Sequence, residues 1–367
     1  MHANAERGRR NAPTVALYVS GHGFGHAVRC ALVAEALLKR GARVVLRTDA
    51  PAWLFSPQVE YVAGPQVDVG VVQRGGLELD VGATREQWTT FAASLDEVAC
   101  REARILAEHG ADLALADVPP LAFLAAARAG LPGLGVTNFG WDWIYAAWPG
   151  FEPIVERIQA AYAQADCLLR LPLSSPAPDA FPAFRCVQDI PPIARRATRP
   201  RDQVRRELGL PGDAAVVLLS FGGFHASGLN LEALGQWRDY LFLVTAATAC
   251  RAPNVRQLPD QQLDYASLLA ACDAVVTKPG YGIVADCLAN QVPVVYTDRG
   301  PFREYDVLVR ALETLGRARY APQADVLAGR LGPHLDALRD VSTPWAWANQ
   351  PLDGAERVAE MTLACCA

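Results

Sequence analysis

The feature that most narrows what this chain can fold into is a motif written twice. Val15-Ala-Leu-Tyr-Val-Ser20 is a short β-rich run that meets a glycine turn, Gly21-His-Gly-Phe-Gly-His26, and then a helical pattern from Ala27 to Lys39. Ala215-Val-Val-Leu-Leu-Ser-Phe221 meets Gly222 and Gly223 in the same manner. Each opening reads as the first strand of a doubly wound sheet. Alternation then continues. Arg43–Arg47, Leu113–Ala116, Gly133–Thr137 and Cys167–Leu171 read as strands, with helices over 85–109, 120–129 and 151–165. In the second half the strands are Tyr240–Thr245, Ala274–Thr277 and Val292–Thr297, with helices near 264–271, 282–289 and 303–315. Short apolar strands alternating with helices imply parallel sheets covered on both faces.

Spread over 367 residues, two such sheets fit better than one. The expectation is an α/β chain of two Rossmann-like domains facing a cleft, over 13–188 and 202–345. A Pro- and Arg-rich linker at 189–201 separates them, and a terminal helix lies within 346–367. The arginines at 195, 196, 199, 201, 205 and 206 read as a solvated linker and helix face.

A formal net charge of −5 leaves no basic footprint for nucleic acid. No apolar run reaches the roughly 18–20 residues that span a bilayer. The first residues, MHANAERGRRNAP, have no apolar stretch behind their arginines and do not read as a secretory signal. The nine cysteines are scattered without a CxxC, a usage that fits reduced thiols in the cytoplasm.

The two glycine loops carry the chemistry. Gly21, Gly23 and Gly25 follow a GxGxG spacing, not GxGxxG, and no acid ends the second strand, so nicotinamide binding has little support. His22 and His26 stand where ligands meet the C-terminal edge of a parallel sheet, and a neutral imidazole there can take a proton from a hydroxyl. Capping or packing is the other use of such a histidine. Thr277-Lys-Pro-Gly-Tyr-Gly-Ile283 is the second loop. Gly280 and Gly282 admit close backbone approach, the helix start offers N–H groups, and Lys278 adds a charge; together they suit a pyrophosphate. The Walker spacing is absent, which removes phosphoryl transfer from ATP.

Ser20-Gly-His-Gly-Phe-Gly-His26, Asn138-Phe-Gly-Trp-Asp-Trp-Ile-Tyr145, Ser220-Phe-Gly-Gly223 and Lys278-Pro-Gly-Tyr-Gly282 occur together in this order. In this the chain resembles the N-terminal glycosyltransferase-like domain of plant L-arabinokinases and their stand-alone bacterial relatives, from about Val15 to about Leu327. More distantly it is similar to the peptidoglycan N-acetylglucosaminyltransferase, which has the GT-B fold. The resemblance is to the glycosyltransferase-like domain alone and implies no sugar-kinase activity. It implies transfer of a sugar from a nucleotide-sugar, a UDP-sugar first, to an acceptor hydroxyl, with inversion and without a metal or other cofactor. It places His26 as the base, with His22 beside it, and Gly23, Phe24 and Gly25 toward the acceptor. The donor falls on Gly222, Gly223, Lys278, Gly280, Tyr281 and Gly282, its sugar on Glu304 and its base near Leu258 and Pro259. Glu304 is also a favourable acid for a helix start.

Two further groups join the candidates. Asp117 ends a predicted strand and either supports a histidine or caps the next helix. Trp141, Asp142 and Trp143 set a carboxylate between two indoles, an arrangement for a sugar acceptor or for a packed core. Asp68, Gln73 and Asp80 lie in a polar loop. Two other readings stay open: a nucleotide-sugar-binding module without catalysis, and a GT-B epimerase.

Overall fold

A computed structural model describes residues 12–74, 78–176, 180–212, 214–221, 228–245, 250–258 and 264–366. Gly222, Gly223, Pro259 and the first eleven residues, all named above, lie outside them. The chain divides into two compact units. One comprises Met1–Val71, Val81–Ile193 and Asp353–Ala367, the other Val72–Asp80 and Ala194–Leu352.

The first unit opens with β1 (Thr14–Val19), every residue of which is buried, as a strand covered on both faces requires. Helix α1 (Phe24–Lys39) buries Ala27, Cys30, Val33, Ala34 and Leu37, an i, i+3, i+4 stripe facing the sheet. It begins three residues earlier than its apolar pattern suggested, so Gly25 and His26 belong to its first turn. Then come β2 (Arg43–Thr48) and β3 (Glu60–Tyr61). The short hairpin β4 (Gln73–Arg74) and β5 (Glu78–Leu79) belongs to the second unit. The first unit resumes with α2 (Val81–Glu108), β6 (Leu113–Asp117), α3 (Pro120–Ala129), β7 (Gly133–Thr137), α4 (Trp141–Tyr145), α5 (Glu152–Tyr162), β8 (Cys167–Arg170) and β9 (Val187–Asp189). Its strands form one parallel sheet in the order β3-β2-β1-β6-β7-β8-β9. Strand order reverses between β1 and β6, where Val19 pairs with Asp117. Such a switch point is where open α/β sheets hold ligands.

The second unit contains α6 (Arg201–Glu207), β10 (Ala215–Ser220), β11 (Tyr240–Val244), β12 (Val255–Gln257), α7 (Tyr265–Ala271), β13 (Ala274–Thr277), α8 (Tyr281–Asn290), β14 (Val294–Tyr296), α9 (Glu304–Leu315), β15 (Ala318–Tyr320), α10 (Gln323–Leu327) and α11 (Gly332–Leu338). Its parallel sheet runs β12-β11-β10-β13-β14-β15 and has its own switch point between β10 and β13, where Ser220 pairs with Thr277. One face packs Val217, Leu219, Phe242, Val276 and Val295 against Leu331 and Leu335 near and within α11. Two doubly wound parallel sheets are present, as the alternation required. The chain closes with α12 (Gly354–Cys365), which lies on α1 in the first unit.

Three details depart from expectation. Residues 72–80 fold with the second unit, and α12 folds with the first. Cys167 and Cys186 are disulfide-bonded, against the expectation of reduced thiols; adjacent parallel strands bring them together. The arginine-rich stretch is not a loosely solvated face. Arg195 donates to Asp286 through its backbone N–H, Nε and Nη2, and lies 4.7 Å over the Tyr265 ring. Arg201 and Arg205 both pair with Asp273.

Candidate functional site

In the first unit the loop after β1 reaches α1 through Gly23, whose φ of +72° is open to glycine without strain. His26 then points from the first helical turn at the end of β6. Its Nδ1 lies 3.1 Å from Asp117 Oδ1 and 3.0 Å from Arg29 Nη2. Asp117 is fully buried and is no helix cap. Arg29, one turn along α1, donates through Nε to its Oδ2 at 2.5 Å and through Nη2 to its Oδ1 at 2.7 Å. Arg29 also donates to Asn138 Oδ1 at 2.7 Å and to Thr137 Oγ1 at 3.2 Å. Burial pushes the Asp117 carboxyl up, but the charge of Arg29 and the hydrogen bonds from Arg29 and His26 override it and hold the group well below the usual carboxylate range.

These contacts assign the His26 tautomer. One Nη2 hydrogen goes to Asp117 Oδ1, while the Thr137 hydroxyl donates to Phe139 O and leaves its oxygen to receive the other. A ring lone pair facing a carboxylate oxygen would be repelled, so Nδ1 carries the proton and donates it to Asp117. The lone pair is then at Nε2. His22 is the opposite case. Its Nδ1 accepts the Val71 N–H at 3.1 Å, which places the ring proton on Nε2. Of the two histidines assigned to catalysis, His26 alone is arranged to accept a proton. His22 is packed on Gly70, where an added Cβ would come within 2.7 Å of the His22 Cβ.

Trp141, Asp142 and Trp143 are 0%, 1% and 5% exposed. Of the two arrangements open to this segment, a sugar acceptor or a packed core, their burial favours the core. Tyr145 stacks on Trp141 at 5.4 Å, and His22, Phe139 and His26 surround its edges. Asp142 turns inward toward Gln159, and burial lifts its carboxyl to about 6. Trp141 serves the site differently, by donating Nε1–H to Asp68 Oδ2 at 2.8 Å. Asp68 is buried, also bonded by the Ser20 hydroxyl and the Val69 N–H, and burial raises it to about 6. Phe24 remains at the helix start, edge-on to the exposed Trp53.

In the second unit β13 ends at Thr277 and α8 starts after Gly280. Lys278 Nζ donates to Gln73 Oε1 at 3.0 Å. Burial, then the charge of Arg299, brings its ammonium down to about 7. Arg299 Nη1 donates to Pro279 O at 3.0 Å and to Glu304 Oε2 at 2.6 Å. Its guanidinium covers the Phe302 ring at 4.1 Å. Glu304, at the start of α9, where the resemblance places the donor sugar, is 2% exposed and accepts from Arg299. Tyr281 is buried in the first turn of α8. Leu258 stands beyond β12 with its N–H on Val244 O.

The structure therefore joins His26 to Asp117, and Lys278 to Gly280 and, through Arg299, to Glu304. Sequence reasoning missed Arg29 and Arg299. A basic residue three positions after His26 on one helix face was the available signal for Arg29. Among the described residues no group of three His, Cys, Asp or Glu side chains is placed to hold a metal ion, and no helix is long and apolar enough to cross a membrane.

No family model matches the chain. Its sequence is 35% identical to L-arabinokinase of Arabidopsis thaliana over 337 residues, covering 88% of this chain and 32% of that protein. MurG of Acinetobacter baumannii superposes with a TM-score of 0.56 at 15% identity, over 96% of this chain and 99% of MurG. The UGT2 of Phytolacca americana, solved with UDP-2-fluoroglucose and pterostilbene, superposes with a TM-score of 0.61 at 14% identity, over 97% and 94%. The chain has the GT-B fold. It is similar to L-arabinokinase and spans about a third of that protein's length. In GT-B terms, the glycine loop of each Rossmann-like unit stands at that unit's switch point.

Proposed function

We propose that this chain is an inverting glycosyltransferase that uses a nucleoside diphosphate sugar, a UDP-sugar first, and needs no metal. The observation that carries the reading is the buried His26–Asp117 pair with its lone pair at Nε2. An acceptor O–H gives its proton to Nε2. The oxygen attacks the anomeric carbon, and the bond from that carbon to the diphosphate oxygen breaks with its electron pair left on the nucleoside diphosphate. The backbone N–H groups at the start of α8, Lys278 and Arg299 would stabilise that leaving charge. Gly23 and Phe24 border the base and suit the acceptor side; Gly222 and Gly223 follow β10 and suit the donor. Glycosyltransfer in GT-B neighbours, one of them solved with a UDP-fluorosugar, supports the donor class.

A second reading has its own support. Because the chain corresponds to about a third of an L-arabinokinase, it also fits a nucleotide-sugar-binding module attached to, or acting for, another activity. Calorimetric titration with UDP, GDP and dTDP sugars, followed by chromatography for released or transferred sugar, separates the two. Turnover that vanishes in His26→Ala while donor binding persists supports the transferase. Binding without turnover on any acceptor panel favours the module, and a donor interconverted in the absence of acceptor favours an epimerase.

A further inference from the structure

The transfer chemistry above makes no use of Arg29, which is buried and lies against the base. Its guanidinium takes both oxygens of Asp117 and is itself anchored by Asn138 and Thr137. A bidentate pair of this kind neutralises the carboxylate. Without that partner, a fully buried Asp117 would demand a counter-ion, and the imidazole 3.1 Å away would become one by taking a proton. A protonated imidazole has no lone pair to offer a hydroxyl.

We propose that Arg29 is the positioning residue of the base: it carries the positive charge that Asp117 requires and thereby leaves His26 a neutral imidazole with its lone pair at Nε2. The proposal rests on the transferase reading for its significance, but its physical content can be tested separately.

The groups around the ring fit this division. On α1, Cys30 lies beside Arg29; burial pushes its thiol well above the usual range, so it stays protonated and donates to Asp117 Oδ2 at 3.4 Å without adding charge. From the segment leading into α4, the rings of Phe139 and Trp141 close two sides. His22 stands across Trp141. Asp68 is the second carboxylate coupled to His26, and a positive charge on that ring favours its ionised form. One acid is thus committed to Arg29, and the other answers the charge that forms when the acceptor proton arrives.

The test uses the full chain labelled with ¹⁵N-histidine, with the His26 ring signals identified by their loss in H26Q. In the wild type at neutral pH, Nδ1 should be protonated and Nε2 bare. In R29M both ring nitrogens should be protonated at that pH. Transfer should be lost there and return as the pH is raised, with the acid limb moved up by about one unit or more. R29K keeps a charge without the fork and should retain a neutral ring, with turnover within about tenfold of wild type. The double variant R29M/D117N removes both charges of the buried pair, so it keeps the fold if R29M does not and should return the ring to neutrality. A purely structural Arg29 would lower activity equally at every pH and leave the ring nitrogens as in the wild type. The proposal is overturned by a bare Nε2 in R29M, by a protonated ring in the double variant, or by an Nε2–H tautomer in the wild type. Ring states that change as expected, with no transfer to any acceptor, would count against the transferase reading alone. Transfer by the wild type with an unaltered ring in R29M would count against Arg29 alone.

Discussion

Both units end a strand at their sheet's switch point with a glycine turn into a helix, yet they fill that turn with opposite chemistry. In the first, the Arg29 guanidinium takes both oxygens of Asp117 beneath His26, whose Nδ1 faces the same carboxylate. In the second, Lys278 and Arg299 crowd one helix start; a carboxylate meets Arg299, while an amide oxygen from Gln73 meets Lys278. The shared backbone supplies N–H groups and room. On the proposed reading, the charged side chains around it decide whether the turn handles a proton or holds an anion.

That contrast can be broken by experiment. The largest effect should come from His26→Ala, which is expected to lower kcat by about 10²–10⁴-fold while calorimetry finds donor affinity unchanged. Equal loss of both would mean the first unit also holds the donor. Asp117→Ala leaves Arg29 buried without its carboxylate and should cost about 3–5 kcal/mol in urea unfolding. Lys278→Ala removes a desolvated ammonium and should leave the midpoint nearly unmoved, while weakening nucleoside diphosphate binding. If the two variants unfold alike, the distinction between the two clusters fails.

Charge state sharpens it further. Because the Lys278 ammonium lies at about 7, an incoming diphosphate favours its protonated form. Affinity for UDP should therefore decline as pH rises from 6 to 9, by at most about tenfold per unit above 7, with proton uptake on binding. A Lys278→Met chain should show a flat profile. The smallest effect belongs to the buried acids. Asp68 and Asp142 sit at about 6 in the fold against an ordinary 3.8, so the native chain retains protons that the unfolded chain has released. Stability should consequently fall as pH rises from about 4 to about 6. Asp142→Asn should remove roughly 1–3 kcal/mol of that fall, measured as the change in unfolding free energy between those two pH values.

The strands were legible because sheets covered on both faces demand unbroken apolar runs; Val15–Val19 and Ala274–Thr277 carry that demand openly. Side-chain partnerships were less so. Arg29 shares a helix face with His26, but its partner is a carboxylate that arrives 88 residues later. Trp141, Asp142 and Trp143 offer the same composition to a sugar as to a core, and only the packing of Tyr145, His22 and Phe139 decides between them. The hairpin at 73–79 has strands of two residues, too short for any period. Cys167 and Cys186 meet because β8 and β9 are neighbours, which no spacing announces.

The path of the chain has a consequence for its synthesis. It passes between its units four times, at 71/72, 80/81, 193/194 and 352/353. Ala355, Val358 and Ala359 of the closing helix are buried in the unit that was begun first. A nascent chain that has just emerged past Ile193 therefore still lacks the helix that covers α1, and must keep that apolar surface shielded until Gly354–Cys365 has emerged. The unit started earliest is the one completed last, and splitting the gene at the apparent boundary would yield two polypeptides that each miss a piece of themselves.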